Sequence, residues 1–174
     1  MLEVERRFLL KYIPDNVREV EGTLMEDYMI LTGEIHPHLR LRRKGNHYEL
    51  TKKYQRDVNE KKLEMIEETI ILDQREFEAL RHLQTKSQKK FRYRFAQGKY
   101  TAELDLWTED LNGLGIVEFE FDSKEEALAF HPPDYCLVEV TDMEWLAGGM
   151  ISGRRYSELE NQLSKLDYNP VFLT

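Results

Sequence analysis

Residues 1–8 read Met-Leu-Glu-Val-Glu-Arg-Arg-Phe, an alternation that puts Glu3, Glu5 and Arg7 on one face of a β-strand and Val4 and Phe8 on the other. Adjacent carboxylates repel unless a cation or basic groups offset them, so a glutamate pair beside a guanidinium suits a metal next to an anionic ligand. One such strand is an ordinary solvated sheet face. The pattern gains meaning because it recurs. Arg40 and Arg42 alternate with Leu39 and Leu41, and Glu49, Thr51 and Lys53 share a face. Lys90, Arg92 and Arg94 alternate with Phe91, Tyr93 and Phe95. Glu103 and Asp105 alternate with Leu104 and Leu106, and Glu118 and Glu120 with Val117, Phe119 and Phe121.

A solvated face normally mixes both signs of charge, and like charges stacked across a sheet destabilise it. Here whole strands carry one sign. A closed barrel supplies the cause: polar faces line the lumen, apolar faces point outward under helices, and acidic and basic walls face one another. Glu3, Glu5, Glu103, Asp105, Glu118 and Glu120 offer hard oxygen ligands suited to Mg²⁺ or Mn²⁺. Arg40, Arg42, Lys53, Lys90, Arg92 and Arg94 offer phosphate donors, and arginine can bind in a bidentate fork. Both walls together fit a polyphosphate bridged by divalent metal, with catalysis by charge neutralisation at the transferring phosphoryl group.

Short alternating runs bounded by turn residues must position these groups. Strands are expected near residues 2–10, 24–31, 37–44, 47–54, 62–72, 90–96, 99–107, 115–122 and 136–142, with hairpin turns at Gly45-Asn46 and Gln97-Gly98. Capping boxes at Asp73–Glu76 and Ser123–Glu126 open two helices, the second stopped by Pro132-Pro133. Tyr156, Leu159, Leu163 and Leu166 predict a C-terminal helix at about 153–167, an apolar stripe that reads as ordinary packing. The fold class is mainly β with helices (α+β), one domain over residues 1–174.

The chain has 174 residues, a formal net charge of −8, 33% charged and 41% hydrophobic residues. The acidic balance argues against a dedicated nucleic-acid binder, while leaving room for a local basic pocket. Cys136 is the lone cysteine, which fits a reducing compartment. No run approaches the ~20 apolar residues that span a bilayer, and no apolar leader opens the chain. No membrane partner is expected, and the expected location is cytoplasmic.

These residues resemble the CYTH superfamily, the triphosphate tunnel metalloenzymes. Its N-terminal Glu-x-Glu-x-Lys is matched by Glu3-Val4-Glu5-Arg6-Arg7, with arginine in the last place. The resemblance runs through Leu39–Arg42, Leu50–Lys53, Lys90–Arg94, Glu103–Asp105 and Val117–Phe121, and ends near Glu139–Asp142. It implies a closed eight-stranded antiparallel β-barrel, the triphosphate tunnel, with helices outside and Mg²⁺ or Mn²⁺ bound. Carried across by position, Glu3, Glu5, Glu118 and Glu120 are metal ligands, assisted by Asp105 or Glu103. Arg40, Arg42, Lys53, Arg92 and Arg94 hold the phosphates. Arg7 stands where the family has lysine, and it can bind phosphate but cannot serve as a base. Tyr28 lies on a strand where similar proteins carry a tyrosine, which makes it a catalytic candidate. The family's Arg-x-Glu-x-Glu strand is here Lys62-Leu63-Glu64-Met65-Ile66-Glu67-Glu68. Glu64 and Glu67 cannot both face inward without a bulge; Glu64 is taken as the metal ligand and Glu67 is left open.

The implied activity is hydrolysis of the terminal phosphoryl group of inorganic tripolyphosphate or a related triphosphate, with Glu3 and Glu5 holding the metal that activates water. The alternatives are a class IV adenylate cyclase and a non-catalytic polyphosphate or nucleotide binder. Homodimers are compatible with such folds, though no residue pattern here demonstrates one.

Overall fold

The computed structural model describes residues 2–30, 39–55 and 64–173, without the side chains of residues 2, 3, 55, 64 and 65. The strands are β1 (Leu2–Leu10), β2 (Thr23–Ile30), β3 (Leu39–Lys44), β4 (His47–Gln55), β5 (Glu64–Leu72), β6 (Lys86–Gln97), β7 (Tyr100–Trp107), β8 (Gly115–Phe121) and β9 (Cys136–Glu139). Among the described residues four α-helices accompany them: α1 (Gln74–Arg81), α2 (Lys124–Ala129), α3 (Gly148–Ile151) and α4 (Tyr156–Ser164). Parts of the strands expected at 24–31, 37–44 and 62–72 fall outside the described residues.

The sheet runs β5-β4-β3-β2-β6-β7-β8-β1-β9, every described pairing being antiparallel. β1 also pairs with β5 through Leu2, Glu3 and Val4. On β1, β8 takes Val4–Leu9 while β9 takes Phe8–Leu10. A strand has two edges, so β5 and β9 must share the edge opposite β8. β6 begins earlier than its alternation suggested, because Lys86–Lys89 pair with β2 before the pairing with β7 starts at Lys90. Gly45 and Gly98, at φ +59 and +62, adopt the left-handed conformation that two-residue hairpins require.

The apolar face packs outward as its parity predicts. Val4, Phe8, Leu104, Val117 and Phe119 join Ala127 and Phe130 of the α2 segment in one cluster. Tyr28, Ile30 and Leu41 pack on Phe77 of α1 in another. The α1 start is a full capping box: Asp73 Oδ1 accepts from the Arg75 and Glu76 amides at 2.7 and 2.9 Å, and Glu76 Oε2 accepts from the Asp73 amide at 2.8 Å. The C-terminal helix begins at Tyr156 rather than near 153, because Gly153 at φ +74 separates it from the single turn of α3. Its stripe does more than expected. Leu159 and Leu163, with Val140, Leu146 and Ile151, cover Leu9, Trp107 and Ile116. Those three share parity with the charged residues of β1, β7 and β8, so the charged face has an apolar floor at one end.

Candidate active site

Strand parity delivers Glu5 and Arg7 from β1, Asp27 from β2, and Arg40 and Arg42 from β3 to the same face. It also delivers Glu49, Thr51 and Lys53 from β4, Lys90, Arg92 and Arg94 from β6, Glu103 and Asp105 from β7, and Glu118 and Glu120 from β8. The face is concave, because side chains meet across intervening strands. Lys53 Nζ of β4 donates to Glu5 Oε2 of β1 at 2.8 Å. Arg92 Nη2 of β6 donates to Glu118 Oε2 of β8 at 2.6 Å.

Three carboxylates converge on Arg92. Its Nε donates to Asp105 Oδ1 at 2.7 Å, its Nη2 to Asp105 Oδ2 at 2.6 Å, and its Nη1 to Glu103. Lys90 also pairs with Asp105, which is wholly buried, and its ammonium lies 4.9 Å from the Trp107 ring centroid. Glu118 is held from its other side by Arg7 Nε at 3.0 Å, while Arg7 Nη2 donates to the Leu146 carbonyl at 3.2 Å. Burial would raise the Glu118 carboxyl, but the charges of Arg92 and Arg7 outweigh it and hold the group well below the usual carboxylate range. Burial pushes the Lys90 ammonium down, against the pull of Asp105.

The basic wall is organised by a residue the sequence reading passed over. Asp27 Oδ1 accepts from Arg42 Nε at 2.6 Å and Oδ2 from Arg42 Nη2 at 2.9 Å, with Arg40 Nε 4.0 Å away. Burial would raise this carboxyl, but Arg42 and Arg40 hold it far below its ordinary value. Arg40 Nε is buried and has no hydrogen-bond partner among the described residues. The signal for Asp27 was its odd position beside Met25 and Met29, legible only once β2 is known to lie beside β3.

Other predicted positions divide. Glu5 stands directly opposite Glu120 in the β1–β8 register, a carboxylate pair of the kind the opening octet suggested. Arg94 reaches Glu103 at 3.1 Å but is 62% exposed, at the rim of the face. Tyr28 is not brought to the charged cluster: it packs edge-on to Phe77, its hydroxyl donates to Glu26 at 3.4 Å, and its even position turns it away from Asp27. Glu64 is opposite Val4 in the backbone register, and its side chain, like that of Glu3, is outside the described residues. Glu67 instead lies opposite Lys53 and accepts from Thr69 Oγ1 at 3.3 Å, which puts it with the charged face. Among the described residues no three His, Cys, Asp or Glu side chains converge as a ready metal cage, because the carboxylates are turned toward guanidinium and ammonium groups.

Comparison with known proteins identifies relatives of this arrangement. The chain is 32% identical over 145 residues to the inorganic triphosphatase of Nitrosomonas europaea, a match covering 82% of this chain and 91% of that protein. The crystal structure of the inorganic triphosphatase NE1496 superposes with a TM-score of 0.63 at 28% identity, covering 86% and 93% of the two chains. A protein from Hippeastrum, described as an adenylyl cyclase with a dominant triphosphatase activity, shares the fold at 12% identity and a TM-score of 0.50, over 99% and 92% of the chains. The family model for the Cytohesin Ubiquitin Protein Inducing Domain matches residues 16–90, a segment that omits the acidic strands β1, β7 and β8.

Proposed function

Because the chain belongs to the inorganic triphosphatase family of triphosphate tunnel (CYTH) proteins, we propose that its charged face is a triphosphatase active site. It hydrolyses the terminal phosphoryl group of inorganic tripolyphosphate or a related triphosphate. The observation that carries this reading is the meeting of the two walls at Glu118, which contacts Arg7 and Arg92 at once. The β1–β5 pairing and the Lys53–Glu5 contact support closure into an eight-stranded tunnel around that face.

In this reading Arg7, Arg40, Arg42, Lys53, Lys90 and Arg92 bind the phosphate chain, with Arg94 at the mouth. The donor chemistry of Glu5, Glu118 and Glu120, hard oxygens on neighbouring strands, fits Mg²⁺ or Mn²⁺, with Glu3 beside them in sequence and Glu103 and Asp105 in support. Held by these residues, a divalent cation would supply charge neutralisation and polarisation at the phosphoryl group. Phosphate oxygens draw Arg7, Arg92 and Lys53 away from Glu118 and Glu5, and free carboxylate oxygens result. As an arginine, Arg7 is suited to hold phosphate and not to act as a base. With Tyr28 on the opposite face, proton removal falls to a carboxylate.

The test is a panel of tripolyphosphate, ATP and thiamine triphosphate with Mg²⁺ and Mn²⁺, followed by product identification. Orthophosphate and pyrophosphate from tripolyphosphate are expected. Cyclic AMP from ATP would assign the cyclase reading, and tight binding without turnover would assign a binding protein.

A further inference from the structure

Asp27 sits at the centre of a row that crosses three strands. It lies directly opposite Arg42 in the β2–β3 register and directly opposite Gln88 in the β2–β6 register. Its side chain is 1% exposed, so it is out of reach of any ligand on the concave face. Both of its oxygens are engaged by the Nε–Nη2 fork of Arg42, the bidentate geometry that fixes a guanidinium plane most firmly.

Gln88 backs the carboxylate and is itself fixed. The Trp107 indole N–H can only donate, and it donates to Gln88 Oε1 at 2.9 Å. The amide nitrogen of Gln88 must therefore face Asp27, where Nε2 lies 3.4 Å from Oδ2. Space on its far side is set by Gly148, where an added Cβ would come within 3.2 Å of Gln88 Nε2. The chain Trp107–Gln88–Asp27–Arg42 thus runs from the apolar floor to the basic wall. Arg40, beside it, has the carboxylate 4.0 Å from its Nε, which has no hydrogen-bond partner among the described residues.

We propose that Asp27 is a positioning residue for substrate binding: it locks Arg42 and offsets the repulsion between Arg42 and Arg40, so that both guanidiniums stand ready for phosphate. This rests on the triphosphatase reading above. The notable consequence is a division of labour within the basic wall. Arg42 spends its fork on Asp27 and offers the remaining N–H groups, whereas Arg40 Nε makes no hydrogen bond among the described residues. Asparagine at position 27 could accept through one oxygen only, and its NH₂ would face the donors of Arg42 or Gln88.

The experiment measures tripolyphosphate hydrolysis by Asp27→Asn and Gln88→Leu beside the parent protein, with thermal melting of each. A Phe77→Leu variant, altered on the opposite face, controls for lost stability. Asp27→Asn should raise KM about tenfold or more with kcat within about threefold, the signature of lost binding common to ground and transition states. Gln88→Leu should give a smaller KM rise, while Phe77→Leu lowers the melting temperature and leaves KM alone. If Asp27→Asn does not fold, Gln88→Leu alone decides. KM values for the folded variants within about twofold of the parent would overturn the positioning role, whatever the melting temperatures. If the parent protein itself releases no phosphate from tripolyphosphate, the triphosphatase reading falls, and this inference with it.

Discussion

Glu103 and Glu118 face each other directly in the β7–β8 register and are bridged by a single guanidinium, that of Arg92. Two like charges in such a pair would weaken the sheet. With Arg92 between them, and Asp105 taking a bidentate share of the same group, the acidic wall is held together by a cation of the opposing wall.

Arg92→Lys tests that arrangement. Lysine keeps the charge but has one nitrogen where three carboxylates need a planar fork. Stability to urea should fall by about 1–3 kcal/mol, the cost of leaving buried carboxylate oxygens without hydrogen bonds while the charge is kept. A loss under about 1 kcal/mol would mean that Lys90 and Arg7 suffice without it.

The double substitution Glu118→Gln with Glu120→Gln should cut metal-dependent phosphate release by at least about a hundredfold while the protein stays folded. Unchanged release would remove both residues from the site.

Tyr28→Phe should leave kcat/KM within about threefold of the parent, because a general acid or base is worth about 10²–10⁴-fold and Tyr28 packs on Phe77 instead. Its hydroxyl is also pushed up by burial and by Glu26, which makes it a poorer acid still. A hundredfold loss in steady-state assays would place it in the chemistry.

Acid should unfold the protein through the charged face. The carboxyls of Glu118 and Asp27 lie below their reference values of 4.5 and 3.8. The unfolded chain therefore binds more protons than the folded one as pH falls. The stability these groups contribute is complete above the reference values and is lost below them. Urea midpoints should be flat from about pH 7 to 5 and decline below about pH 4.5. A midpoint that holds steady to pH 3 would contradict the ion-pair account.

Phe119, fully buried between Phe8 and Phe130, should cost about 3–5 kcal/mol when replaced by alanine. The measurement is equilibrium unfolding, with phosphate release by the folded fraction expected to persist.

Strand parity made much of this legible in advance, because period-two alternation fixes which side chains share a face before any pairing is known. Glu5, Arg7, Arg40, Arg42, Arg92, Asp105 and Glu118 could be placed together on that basis alone. Asp27 could not, since its meaning comes from Arg42 and Gln88 on neighbouring strands, and register is a tertiary fact. Gln88 and Trp107 were hidden for the same reason. On β5 a parity choice was required, and the register sets Glu67 opposite Lys53 and Glu64 opposite Val4. Tyr28 was singled out by residue type, whereas parity sets it on the face of Glu26 and Ile30, opposite to the one that carries Asp27. The apolar stripe of α4 was visible as packing, but its target could not be read, because nothing local ties Leu159 to Leu9.

An open basic groove attracts mobile salt ions, and its affinity for phosphate collapses as the solution supplies more competitors. Here the acidic strands act as covalently tethered counterions. Arg7, Lys53 and Arg92 already carry their neutralising partners in Glu118 and Glu5. In the proposed site, phosphate entry would be an exchange of one anion for another inside the protein, with few dissolved ions displaced. Such a site would keep its grip in brine that strips a bare cationic surface.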